Sequence, residues 1–475
     1  MDEAGHAHWE RELDDDRYKV GINWSNGQLV EEQEHRYRLI PESYAGELSF
    51  VVAFEGASTL VSKAPTAIKC AEIEAASRQH WSTFWEEGAV VELIESSDPR
   101  AAELERRIVL SQFLTAIHSA GSLPPQETGL MYNSWFGKPH LEMHWWHAAQ
   151  FTLWGRTPLL RKSMDWYNHI LPVAQEIASS QGYRGARWPK MVDPKGSQGP
   201  SNIATLLIWQ QPHPIMLAEL IYQASDESPE VLATYGAMVR ESAEFMASFA
   251  VWDEAGQRYV LGPPVIPVQE NHAPDDTINP VFELEYWLYG LKTAQKWQAR
   301  AGLPFMEEWD QICKLLSRPP ISEEHVYLAH ERCPETFTTF NHDHPSMLMA
   351  LGVLPGRSIE PAIMKNTLDK VIREWQWDTA WGWDFPVAAM TAARTGDGKL
   401  AVDLLLAEQV KNTYLPNGHN YQRSDLYAYL PGNGGLLAAI AMMACGWEGA
   451  EHDQAPGFPD DGSWTVRWEG LHRLL

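Results

Sequence analysis

The chain has 475 residues, 44% of them hydrophobic and 21% charged, with a formal net charge of -26. That length buries a large core and suits two or three domains or one big toroid. No apolar run reaches membrane-spanning length, and so acidic a balance excludes nucleic acid and anionic membranes as partners, because those need clustered Lys and Arg.

Cys70, Cys313, Cys333 and Cys445 lie far apart with no CxxC pair. Neither a disulfide framework nor a zinc site is expected, and the sequence calls for no metal and no cofactor. No signal peptide precedes Asp2, where the start is acidic and polar. The expectation is a cytoplasmic chain, or one that has lost its natural N-terminus. Nothing fixes the oligomeric state.

In chain order, residues 1–65 read as short, partly alternating strands: Tyr18 to Trp24, His35 to Leu39 and Glu47 to Phe54. Asn26-Gly27 looks like a hairpin turn between two of them. This is too little for an independent sandwich, so it reads as the tail of one. Residues 66–102 form a linker with helical character, clearest from His80 to Gly88. From 103 to 450 helical patterns recur. Leu160, Met164, Tyr167, Leu171, Ala174 and Ala178 keep one buried face. Val231, Tyr235, Met238, Phe245 and Phe249 repeat it behind Ser228-Pro229, and Met364, Leu368, Val371 and Trp375 behind Ser358 and Pro361. Helices are predicted to begin near 103, 142, 157, 201, 229, 280, 305, 345, 358, 384, 398 and 435. Twelve helices suggest six hairpins, so the predicted fold is mainly α: an (α/α)6 barrel with a short N-terminal β-rich remnant. Residues 451–475 make a short C-terminal segment.

Unusual polar-aromatic motifs fall before or at the start of every second helix. They are Trp135 to Trp146, Gly185 to Lys190 with Trp209 to His213, Glu270, Asp343-His344-Pro345, Trp381-Gly382-Trp383-Asp384, and Gly418 to Gly434. In a barrel of inner and outer helices this gathers all six at one mouth, where a small ligand is expected to bind. The 22 tryptophans point to its chemistry, since sugar rings present C–H faces that stack on indole.

The stretch Pro263-Pro264-Val265-Ile266-Pro267-Val268-Gln269-Glu270-Asn271-His272 delivers one carboxylate on a stiff backbone. A general acid needs such fixed placement, and Ile266 with the prolines is expected to keep Glu270 protonated by desolvation. Inversion at a sugar carbon also needs an ionised partner carboxylate. Asp384, Asp425 and Glu142 are its candidates. His140-Leu141-Glu142-Met143-His144 superficially resembles a zincin helix, but it is not HExxH, and a network holding sugar hydroxyls accounts for it better. Trp145, Trp188, Trp381 and Trp383 are expected to wall the site. Trp135, His140, Glu142, His144, Arg187, Lys190, Gln211, His213, Gln269, His272, His344, His419, Asn420 and Gln422 are expected to hold the substrate, a small carbohydrate.

These residues resemble known families. Ile266 to His272, with Asn279 downstream, resembles the "GPDEYH…TN" segment of glycoside hydrolase family 65, which implies that Glu270 is the acid. Gly182 to Pro189 is similar to that family's "GA-aromatic-PW" loop, and Trp135 to Trp146 to its "GH-FWDTE" segment, with Glu142 or a neighbour in place of the sugar-binding aspartate. The second stretch also resembles "QMNYW" of family 95, and Gln269-Glu270-Asn271 its "SPEN". Family 95 carries its base in "IDGNFG", where this chain reads Leu430-Pro431-Gly432-Asn433-Gly434. Its supporting asparagines fall near Lys138 and His140. The serine-rich phosphate loop of family 65 phosphorylases has no clear match. The resemblance therefore implies a related but distinct six-hairpin glycosidase, inverting and exo-acting. A phosphorylase, or a non-catalytic carbohydrate-binding protein, is the alternative.

Overall fold

The computed structural model describes residues 5–14, 16–43, 46–56, 69–201, 203–450 and 454–474. The start at Asp2 and the boundary at 65–66 lie outside them. The chain separates into two compact units, Met1–Glu87 and Gly88–Leu475.

In the first unit, β1 (Gly5–Leu13), β2 (Asp16–Trp24), β3 (Gly27–Gln33), β4 (Arg36–Pro41) and β5 (Phe50–Gly56) precede helix α1 (Cys70–Glu87). The strands form an antiparallel sheet in the order β1-β2-β5 and a separate β3-β4 pair. β1 has no counterpart among the predicted strands. Asn26-Gly27 is not a hairpin turn: β2 pairs with β1 and β5, while β3 pairs with β4, so the chain passes there from one sheet to the other. Phe50, Val52 and Phe54 alternate onto one exposed face.

The second unit is mainly helical. After β6 (Val90–Glu92) come α2 (Ala101–Ser119), α3 (His144–Leu153), α4 (Thr157–Ser180), α5 (His213–Ala224) and α6 (Pro229–Phe249). The hairpin of β7 (Val251–Asp253) and β8 (Arg258–Val260) leads to α7 (Val281–Arg300), α8 (Glu307–Leu315), α9 (Met349–Gly352), α10 (Pro361–Glu374), α11 (Asp384–Arg394) and α12 (Gly398–Leu405). Two short strands, β9 (Thr413–Tyr414) and β10 (Asn420–Tyr421), precede α13 (Leu430–Cys445), and β11 (Arg467–Glu469) returns to pair with β6.

Local chemistry sets the helix starts. The Ser228 side chain accepts from the Glu230 amide and Pro229 opens α6, as its sequence signal predicts. At α10 Pro361 does the same, but Ser358 is no cap; its hydroxyl donates to buried Glu285. The helix predicted from 201 begins only at His213, so Trp209 to Pro212 is its approach rather than its body.

Packing divides the helices into two layers. α3 touches α5, α5 touches α7, and contacts continue through α9, α11 and α13, which closes on α3. These six form a ring. The alternate helices α2, α4, α6, α8, α10 and α12 each pack on members of it. Burial follows: every residue of α3 and α13 is buried, as are Asp384–Ala393 of α11. A helix apolar all round belongs inside, whereas α4 and α10 show a single buried stripe. Tight ring contacts need glycine. A Cβ on Gly434 would overlap the Trp146 carbonyl oxygen of α3. Gly434→Ala is expected to lose about 3 kcal/mol, read as a lower urea midpoint.

Candidate active site

The six segments leading into the ring helices are joined to one another around a common rim. The Leu141 amide of the segment before α3 donates to the Lys190 carbonyl before α5 (2.9 Å). Lys190 Nζ reaches Glu270 Oε1 before α7 (2.5 Å). Gln269 Nε2 donates to the carbonyls of Phe340 (2.5 Å) and His342 (2.8 Å) before α9. His344 Nδ1 meets Asp384 at the start of α11 (3.0 Å). The Gly382 amide donates to Gln422 Oε1 before α13 (3.0 Å), and the Leu430 amide donates to the Glu127 carbonyl (3.2 Å), which completes the circuit at α3. Backbone strain collects here: Trp135 (φ 45°), Phe136 (φ 64°) and Asp343 (φ 64°) are left-handed non-glycine residues.

Glu270 is held from both sides. The Val268 amide donates to buried Glu283 (2.8 Å), and Gln269 is pinned as above. The carboxyl of Glu270 keeps 30% of its side-chain surface exposed. Its immediate partner is the Lys190 ammonium, so the apolar enclosure expected from Ile266 is not what it meets; Ile266 is in the core. Lys190 Nζ also lies 3.2 Å from Glu142 Oε1. Burial opposes the ammonium, but Glu142, Glu270 and Glu127 outweigh it and keep Lys190 charged. Glu127, buried beside them, is pushed up by burial to about 7. Nothing in the sequence reading named Glu127. Its signal was Pro124-Pro125, a stiff approach like the one before Glu270.

The second cluster centres on His344. Its Nδ1 faces both oxygens of Asp384 at 3.0 Å and its Nε2 lies 3.6 Å from Asp343 Oδ1. The ring stacks on Trp383, with centroids 4.1 Å apart. Burial disfavours the imidazolium, but Asp384 and Asp343 prevail and raise His344 to about 9. A folded value above the usual 6.5 means the stabilisation is full below about 6.5 and fades as pH rises through about 9. Thermal melts should therefore fall between pH 7 and 10, and His344→Gln should lack that component.

The predicted site residues divide clearly. Trp135, His140, Glu142, Lys190, Glu270, His344 and Trp381 belong to these clusters. Trp135 and Trp381 are half-buried, with ring centroids 6.4 Å apart. Trp145, Trp188 and Trp383 are fully buried core residues, not walls. Trp145 bonds Met216 and Trp188 bonds Ser242, while Trp383 lies between Trp146 and His344. His144 turns to Tyr167 and Ser163 of α4. Arg187 is spent on Gln181 and the Thr205 carbonyl, Gln211 on the Trp188 backbone, and His213 on Tyr286 and the Glu142 carbonyl. His272 meets Gln269 Oε1, His419 faces His118, and Asn420 and Gln422 brace the loop before α13. These hold loops in place. Asp384 is buried with both oxygens engaged, one also accepting from the Trp381 amide (2.7 Å). Asp425 lies on an exposed turn, paired with Arg423 (2.8 Å).

The chain shares its fold with solved structures to which its sequence identity is low. A candidate kojibiose phosphorylase from the human microbiome matches with a TM-score of 0.65 at 9% identity, over 92% of this chain and 66% of that one. A wild-type glycosidase matches with a TM-score of 0.54 at 14% identity, over 71% of this chain and 97% of that one. A glycosidase variant in complex with glucose matches with a TM-score of 0.53 at 13% identity. This chain thus spans just under two thirds of the phosphorylase. No family model matches the sequence, and no curated protein matches it.

Proposed function

We propose that the chain is an inverting, exo-acting glycoside hydrolase built on an (α/α)6 barrel within residues 103–450. One observation carries this reading: two solvent-reaching carboxylates, Glu270 and Asp343, stand on adjacent loops that are hydrogen-bonded to each other. Half-buried Trp135 and Trp381 offer indole surface beside them. Glu270 gives the proton to the leaving oxygen. Asp343 takes the proton of the attacking water on the opposite face. Asp384 and Asp425 suit that second role less well, since one is enclosed and the other is tied to Arg423 at the surface. Asp384 instead orients His344. The N-terminal strands fit the tail of a β-sandwich, and the 92% coverage of the phosphorylase match reaches into that unit.

A phosphorylase is the second reading. Lys411 Nζ and the Arg423 guanidinium lie 4.7 Å and 5.8 Å from the centre of the Trp381 ring, a cationic setting in which inorganic phosphate could replace the base. Assays on a panel of disaccharides and aryl glycosides, with and without phosphate, test both. Hydrolysis predicts free sugar released at the same rate without phosphate, and loss of about 10²–10⁴-fold in Asp343→Asn. Sugar 1-phosphate formed only with phosphate supports the second reading. Binding without turnover across the panel contradicts both and leaves a carbohydrate-binding protein.

A further inference from the structure

Glu127, His140 and Glu142 bring their ligand atoms within 4.8 Å of one another, and all three side chains are buried. They come from the segments joined at the α3 side of the rim. His140 is positioned by its backbone, whose amide donates to the Pro125 carbonyl (3.1 Å) and which bridges to Met191. Its Nδ1 lies 2.7 Å from the Lys138 carbonyl oxygen. A carbonyl only accepts, so the proton of the neutral ring is on Nδ1 and the lone pair is on Nε2. That lone pair has no hydrogen-bond partner, and neither do Glu127 Oε2 and Glu142 Oε2. Each of the three side chains thus keeps a buried polar atom without a partner, and His140 Nε2 lies 3.4 Å from Glu127 Oε1, an arrangement that costs free energy unless something positive lies among them.

Lys190 does not fill that role. It pairs with Glu142 Oε1 and Glu270 Oε1 and leaves Glu142 Oε2 without a partner. We infer that Glu127, His140 and Glu142 bind one divalent cation in the floor of the site, beside the Lys190–Glu270 pair. The His140 ring is held as metal-bound imidazoles usually are, with its other nitrogen on a backbone carbonyl. One nitrogen and two carboxylates suit Zn²⁺ or Mn²⁺, whereas Ca²⁺ takes six to eight oxygens. Three protein ligands leave a position open for water or a sugar hydroxyl. This is not the His140–His144 pairing that the sequence suggested and set aside; His144 faces α4.

The test needs no substrate, so it can fail or succeed independently of glycoside cleavage. The full chain is dialysed against a chelator, titrated calorimetrically with ZnCl2 and MnCl2, and its metal content measured after desalting. The expected result is one ion per chain, with affinity about 100-fold weaker or worse in the isosteric Glu127→Gln and in His140→Gln. His144→Gln should still bind the ion, and circular dichroism checks that each variant is folded. Absence of binding at millimolar metal overturns the inference. So does binding unchanged in Glu127→Gln. Protection by simple sugars alone, with no ion bound, assigns the three acceptors to sugar hydroxyls and overturns it as well.

Discussion

Glu270→Gln should slow cleavage of a natural glycoside by about 10²–10⁴-fold, the usual contribution of a positioned general acid. Glutamine keeps the shape of the side chain but carries no transferable proton. Its amide can still meet Lys190, whose ammonium stays within reach of Glu142, so the fold should be undisturbed. The loss should also depend on the leaving group. A glycosyl fluoride departs without protonation, and on that substrate the variant should recover most of the wild-type rate. Rate constants for both substrates, measured side by side, check the prediction. Equal losses on both would assign Glu270 to binding rather than to proton transfer.

Asp384→Ala is expected to be the most destabilising single change at the site, by about 3–5 kcal/mol, because removing one partner of a buried ion pair strands the other. Here His344 would lose both oxygens that face its Nδ1, and the Trp381 amide would lose its acceptor. Asp384→Asn keeps a carbonyl oxygen for one of these bonds and should cost less. Urea midpoints for the two variants measure the difference. Activity should fall in both, because His344 and Trp381 are placed by Asp384, and His344 is the group that lies between Asp384 and Asp343.

Much of this architecture was legible in the sequence because the two layers obey different rules. Outer helices carry their own punctuation, such as Ser228-Pro229 at α6, and a single apolar stripe, as in α4. Ring helices lack a stripe, and they were located instead by the motifs in front of them, which is why starts near 142, 280, 345 and 384 fall close to α3, α7, α9 and α11. The start near 201 failed because Pro212 and the turns before it delay α5 to His213; a proline disfavours helical geometry in the residue before it. Tryptophans misled for a different reason. An indole beside polar residues reads the same whether it lines a cavity or fills the space between helices, and Trp145, Trp188 and Trp383 do the second. Hydrogen-bonding side chains such as Gln211, His213 and Gln422 were read as ligand contacts, yet loops that converge on a rim need polar braces of their own. Glu127 and Asp343 could not be ranked from sequence, because their importance comes from neighbours supplied by distant segments: Lys190 for one, His344 and Trp381 for the other.

The most direct measurement is a crystal structure of Glu270→Gln soaked with an oligosaccharide that the wild-type enzyme cleaves. The account predicts the glycosidic oxygen about 2.6–3.2 Å from the side chain at position 270, with a sugar ring against Trp135 or Trp381 and a water held by Asp343 on the opposite face. A saccharide bound at the other end of the helical ring, or with its glycosidic oxygen out of reach of residue 270, would contradict it.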